Sequence, residues 1–185
     1  MPNKPRARIL ELSAGSGKHL SIPFAKKGHV VTASEYAAKA CKNIDRIVAM
    51  HDVQIEILEI DFRNLLIPNK RYNYIFARYC LQNHMSLRHL ESTLLSLQGR
   101  TMRGGEHRFL ILTNQRIIKP DRKITKVQSI ARYSARAFTD LLMRTYCSWN
   151  ISLSAVKDCD GVCYKLDKSL PTIYDALFFS AKNTM

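Results

Sequence analysis

Apolar residues recur along this chain with two alternating spacings, one near two residues and one near 3.6. Ile9, Leu10 and Leu12 form a short apolar run broken only by Glu11, which predicts a strand that ends in Ser13-Ala14-Gly15-Ser16-Gly17. Leu20, Ile22, Phe24 and Ala25 follow at roughly helical spacing and stop at Gly28. Val30–Ala33 is then a second strand with Glu35 at its tip, and Tyr36–Met50 a helix with Ile44, Ile47 and Val48 on one face. Val53–Ile60 alternates as a third strand and runs into Asp61-Phe62. After a loop over residues 65–71, Tyr72–Ala77 is a fourth strand ending at Arg78-Tyr79-Cys80. Leu87, Leu90, Leu94 and Leu97 mark a helix, Phe109–Leu112 a fifth strand, and Phe138, Leu141, Leu142 and Tyr146 a helix over 135–146. Trp149–Val156 and Thr172–Ala181 read as closing strands, with a turn signal at Asp158–Gly161. Strand alternating with helix predicts an α/β fold with helices on both faces of one sheet.

The length, 185 residues, suits one domain with a substantial core, over 8–185, preceded by a basic tail at 1–7. Lysine and arginine number 29 against 15 acids, a net charge of +14 that favours an anionic partner. Five scattered cysteines suggest no disulfide framework and no zinc spacing, so reduced thiols in a cytoplasmic protein are expected. No apolar run reaches membrane-spanning length, and the first residues lack the apolar core of a signal peptide. Residues 116–136 hold seven cations and a single acid, Asp121, which reads equally as a lid over a substrate or as a solvated loop.

The glycine turn is the main chemical signal. Gly15 and Gly17 allow a ligand to pass close over the backbone, and an acid about 20 residues on can accept from two ribose hydroxyls. A P-loop is excluded, because Leu12 and His19 stand where its first glycine and its hydroxyl residue belong. A dinucleotide site needs a third glycine where Leu20 stands. S-adenosylmethionine has no phosphate and does not need the full glycine set. A turn without a ligand is the remaining reading.

The stretch Glu11-Leu12-Ser13-Ala14-Gly15-Ser16-Gly17 resembles motif I of class I S-adenosylmethionine-dependent methyltransferases, with Ser13 where that family usually has glycine. Serine fits there if its dihedrals are ordinary. Tyr72–Ile75 resembles motif IV, with Asn73 in place of a usually structural aspartate, and the closing segments resemble small tellurite-resistance methyltransferases in outline. The resemblance implies a doubly wound, mainly parallel seven-stranded sheet whose last strand is antiparallel. It implies S-adenosylmethionine as cofactor, with Glu11, Ser13, Gly15 and Gly17 at the turn and Glu35 on the ribose. Tyr36 would stand beside Glu35, Asp61 would meet the adenine amino group, and Phe62 would pack on the ring. Arg78 completes the cofactor set and is also placed to meet an anionic substrate. His84, Tyr79 and His19 are the candidate bases. No metal is called for. The acceptor is read as a small anionic molecule, with RNA gripped by 116–136 as an alternative. A binding or activator protein that has lost transfer is the other alternative. Helices that cover the cofactor in many relatives have no counterpart before residue 8, so a partner subunit is a candidate cover.

Overall fold

Five parallel strands form the first part of a single mixed sheet. The structure, a computed structural model, describes residues 6–61, 64, 67, 69–81, 86–118, 124–129, 134–159 and 172–184. In chain order the elements are β1 (Arg8–Leu12), α1 (Ser21–Lys26), β2 (Val30–Glu35), α2 (Ala38–Met50), β3 (Ile55–Glu59), β4 (Tyr72–Arg78), α3 (Leu87–Gly99), β5 (Thr101–Ile118), β6 (Ile124–Ser129), α4 (Ala135–Thr145), β7 (Asn150–Cys159) and β8 (Thr172–Lys182). The spatial order is β3-β2-β1-β4-β5-β8-β7. β3, β2, β1, β4 and β5 pair in parallel, and β8 lies antiparallel between β5 and β7. These seven strands form the expected sheet with an antiparallel last strand, and β6 joins it as an eighth strand beside β5. The strand order reverses between β1 and β4, and in open α/β sheets ligands bind at the carboxyl ends beside such a switch.

The two faces are covered unequally. On one, α3 contributes Leu90, Leu94 and Leu97 and α4 contributes Phe138, Leu141 and Leu142 to a large core against Leu10, Ile75, Phe109 and Phe179. Each of these helices starts at a serine, whose hydroxyl accepts an otherwise unpaired amide: His89 N at Ser86 and Ala137 N at Ser134. On the other face α1 packs Phe24 against Ile9, Val31 and Phe76, and α2 packs Ile44, Ile47 and Val48 against Ala33. The cluster farther along that face, Leu112 and Ala176 with Tyr79 and Leu110, contains no helix residue.

Two tertiary features exceed the sequence pattern. Ala7, expected in the tail, is 1% exposed, and its carbonyl accepts from Val30, so the packed fold takes in this residue. β5 runs on past residue 112, and β6 pairs with it antiparallel through Asn114↔Ser129 to Ile118↔Ile124. Within the basic segment, residues 116–118 and 124–129 are therefore a strand pair, and 134–136 lead into α4. The β-branched Ile117, Ile118, Ile124 and Val127 favour that extended state. Arg122, Lys123 and Arg132 lie outside the described residues. No helix among the described residues is long and apolar enough to cross a membrane.

Candidate functional site

β1 delivers the chain to the carboxyl edge of the sheet, where three of the next five residues turn left-handed: Ser13 (φ +52°), Gly15 (φ +62°) and Gly17 (φ +68°). The ordinary dihedrals expected of Ser13 are not found. It takes the conformation for which relatives of this motif use glycine, at a cost of about 1–2 kcal/mol for a residue with a Cβ. A Cβ built on Gly15 would meet no atom within 4 Å, so this side of the turn is open. Glu35, 7% exposed at the tip of β2, reaches back to the turn. Its Oε1 accepts from Gly15 N at 3.0 Å, and its Oε2 accepts from Tyr36 N at 3.2 Å. A carboxylate bonded to backbone amides fixes both its own position and the turn's.

Glu11 supports the same turn from below. It is 4% exposed, and its Oε2 accepts from Ser21 N at 2.9 Å and from the Ser21 hydroxyl. Burial pushes its carboxyl up to about 7, against the Ser21 donors and the charge of Arg78, which both pull it down. The first amide of α1 is thus engaged by Glu11 within the protein. The sequence places the start of that helix under the ligand, whereas the structure spends this amide on an internal bond. Ser21 has no signal in the sequence, because its role depends on α1 folding back over β1.

Asp61 stands two residues past β3, and the Ile60 amide donates to the Glu35 carbonyl at 2.7 Å, which brings the ends of β2 and β3 together. The Tyr36 ring is 62% exposed beside Glu35. Phe62 and His84 lie outside the described residues. Tyr79 is itself left-handed (φ +59°), donates its amide to the Leu110 carbonyl and lies in the cluster of Leu110 and Leu112. The Arg78 guanidinium sits over its ring at 5.3 Å. Cys80 is buried behind the turn, and burial pushes its thiol up to about 12. Asn73 is structural: its side-chain oxygen accepts from Arg8 N at 2.9 Å and ties β4 to the start of β1. No group of three His, Cys, Asp or Glu side chains among the described residues could hold a metal ion.

A cleft of about 400 Å³ lies beside α1 and across β4, β5 and β8. Leu20, Phe24, Phe76, Leu110 and Phe178 line it, with His19 and Arg78 at its walls. Sequence reading missed its far wall. A signal was present: Phe109–Leu112 is apolar at every position, as in a strand covered on both faces.

This architecture recurs among solved structures. TehB from Haemophilus influenzae matches with a TM-score of 0.69 at 14% identity, over 95% of this chain and 57% of that one. A methyltransferase dependent on S-adenosylmethionine from Methanosarcina mazei matches with 0.71 at 11% identity, over 98% and 95% of the two chains. Magnesium protoporphyrin IX methyltransferase from Synechocystis, solved with bound S-adenosylmethionine, matches with 0.62 at 14% identity, over 97% and 71%. This chain therefore spans little more than half the length of TehB. No family model matches the sequence, and no curated protein does. The chain has the Rossmann-like fold of S-adenosylmethionine-dependent methyltransferases.

Proposed function

We propose that this chain binds S-adenosylmethionine at the glycine turn and directs its methyl group to a small anionic acceptor. The Glu35 carboxylate carries the reading, because the Gly15 amide fixes it beside a turn whose outer side is open. Each carboxylate oxygen accepts one amide and keeps a lone pair for a ribose diol. Asp61, at the adjoining strand end, would accept from the adenine amino group, with Phe62 and Tyr36 against the rings. The cofactor supplies a methyl group already activated on a sulfonium. The chain's own work is then to bind, align and exclude water. Glu11 holds Ser21 and so keeps α1 against the turn. Arg78 would receive the anionic group of the acceptor. Tyr79 or His84 would take a proton from an acceptor that must lose one. Free Cys41, Cys80 and Cys147 suit a reducing cytoplasm.

Calorimetric titration with S-adenosylmethionine tests this. The Glu35→Gln variant loses the charge and one acceptor, so affinity should fall about tenfold to a hundredfold, and the melting midpoint should drop modestly because one of the two amides that Glu35 accepts loses its partner. An unchanged dissociation constant in the folded variant refutes the ribose role. The net charge of +14 supports a second reading, RNA held by residues 116–136. Binding that weakens with a log–log salt slope of about −0.7 per contacted phosphate would select it.

A further inference from the structure

The cleft beside α1 has three properties that bear on what it holds. Its lining is apolar: Phe24 of α1 stacks on Phe76 of β4 at 5.3 Å, and Leu110 and Phe178, paired on β5 and β8, extend the same sheet face. The charged side chains that line it among the described residues, Lys27, Arg78 and Arg108, are all cationic. The cations are not equivalent. Arg108 is held in a two-point pair by Glu106, at 2.8 and 3.1 Å. Arg78 makes no ion pair among the described residues, and its guanidinium rests half-buried over the Tyr79 ring. Arg78 also stands at the end of β4, next to the turn, so one end of the cleft opens where a methyl donor would lie.

We infer that this cleft is the acceptor site and takes an amphipathic anion, a molecule with an apolar ring body along Phe24, Phe76, Leu110 and Phe178 and one carboxylate or similar group on Arg78. The inference rests on the methyl-transfer reading for the word acceptor, but the cleft's chemistry stands apart from it. A polar body would lose its water against these walls without replacement hydrogen bonds, which disfavours sugars and nucleic acid bases there. An anionic group on Arg78 would meet a guanidinium that makes no ion pair among the described residues. A cleft of about 400 Å³ is within the range that encloses a small organic ligand.

The test compares 2-naphthoate with its neutral amide, 2-naphthamide, by calorimetry on the full chain, with S-adenosylhomocysteine titrated in parallel. The naphthoate should bind at least about tenfold more tightly, as a charge-assisted contact requires. Arg78→Met, which keeps the apolar stem, should make the two ligands equal. Phe178→Glu should abolish naphthoate binding and leave S-adenosylhomocysteine binding intact. Equal binding of the two ligands to wild type, or no binding of either at millimolar concentration, overturns the inference even if both variants fail to fold. A stable dimer that excludes both ligands also overturns it and marks the cleft as a subunit contact. If S-adenosylhomocysteine binds and naphthoate is not discriminated, the cleft assignment fails and the cofactor reading stands. If naphthoate is discriminated and S-adenosylhomocysteine does not bind, the cleft remains an anion site and its role as acceptor site is overturned.

Discussion

Replacing Glu11 with Gln tests how burial sets the charge beneath the glycine turn. The carboxyl is 4% exposed, and burial raises it to about 7 from an ordinary 4.5, with Ser21 and Arg78 opposing the rise. An acid that holds its proton more tightly when folded contributes stability that is full below its unfolded value and is lost as pH rises through about 7. That gap corresponds to about 3 kcal/mol at about 1.4 kcal/mol per tenfold change in proton affinity. Gln matches the shape of the protonated acid, keeps an oxygen for Ser21 and does not titrate. At about pH 4 the two proteins should therefore unfold within about 1 kcal/mol of each other. At about pH 8 the variant should have gained about 3 kcal/mol on wild type. His107 pulls the other way. Burial lowers it to about 3, so its contribution is present above 6.5 and is lost as pH falls toward 3. Both proteins share it, and it cancels in the difference. Urea unfolding followed by the fluorescence of Trp149, the only tryptophan and 7% exposed, measures the difference at each pH. A gap independent of pH would refute the burial argument. A wild type that gains on the variant with rising pH would mean that Ser21 and Arg78 hold the carboxylate charged.

Three further outcomes are expected. Ser13→Gly and Ser13→Ala both remove the hydroxyl, but only glycine relieves φ +52°. The glycine variant should exceed the alanine variant by about 1 kcal/mol, or about 2–4 °C in melting midpoint, and equal midpoints would exclude strain at Ser13. Gly17→Val places a β-branched residue at φ +68° and should abolish S-adenosylmethionine binding in calorimetry while a cooperative thermal transition persists at a lower midpoint. Normal binding by that variant would mean that the turn is not the cradle. Thr101 Oγ1 donates to the Leu97 carbonyl and so accepts from His107 Nε2, which leaves Nδ1 to accept from the Tyr146 hydroxyl at 2.6 Å. Tyr146→Phe should cost about 1–3 kcal/mol in chemical unfolding by stranding Nδ1, and a neutral result would show that this network does not hold α4 to β5.

The strand and helix order apart from β6, the glycine turn at residues 11–17 and the placing of Glu35 and Asp61 at strand ends were legible in the chain, because each rests on local spacing. Period-two and period-3.6 runs decide which face of an element is apolar, and Gly15 and Gly17 announce a left-handed backbone without any tertiary information. What depended on contacts between distant segments was not legible. Ser13 looks like a tolerable substitution until Glu35, 22 residues on, is seen gripping Gly15 and shaping the turn around it. Glu11 reads as a ligand contact, but its partner is Ser21, which reaches it only after α1 folds back across β1. The cleft's walls come from α1, β4, β5 and β8, and β8 begins at Thr172, far beyond the end of β5 at Ile118, so no window of sequence contains the site. Local pattern determined which residues could form each element. Long-range pairing of β8 with β5 decided that Leu110 and Phe178 stand together on one face of the sheet.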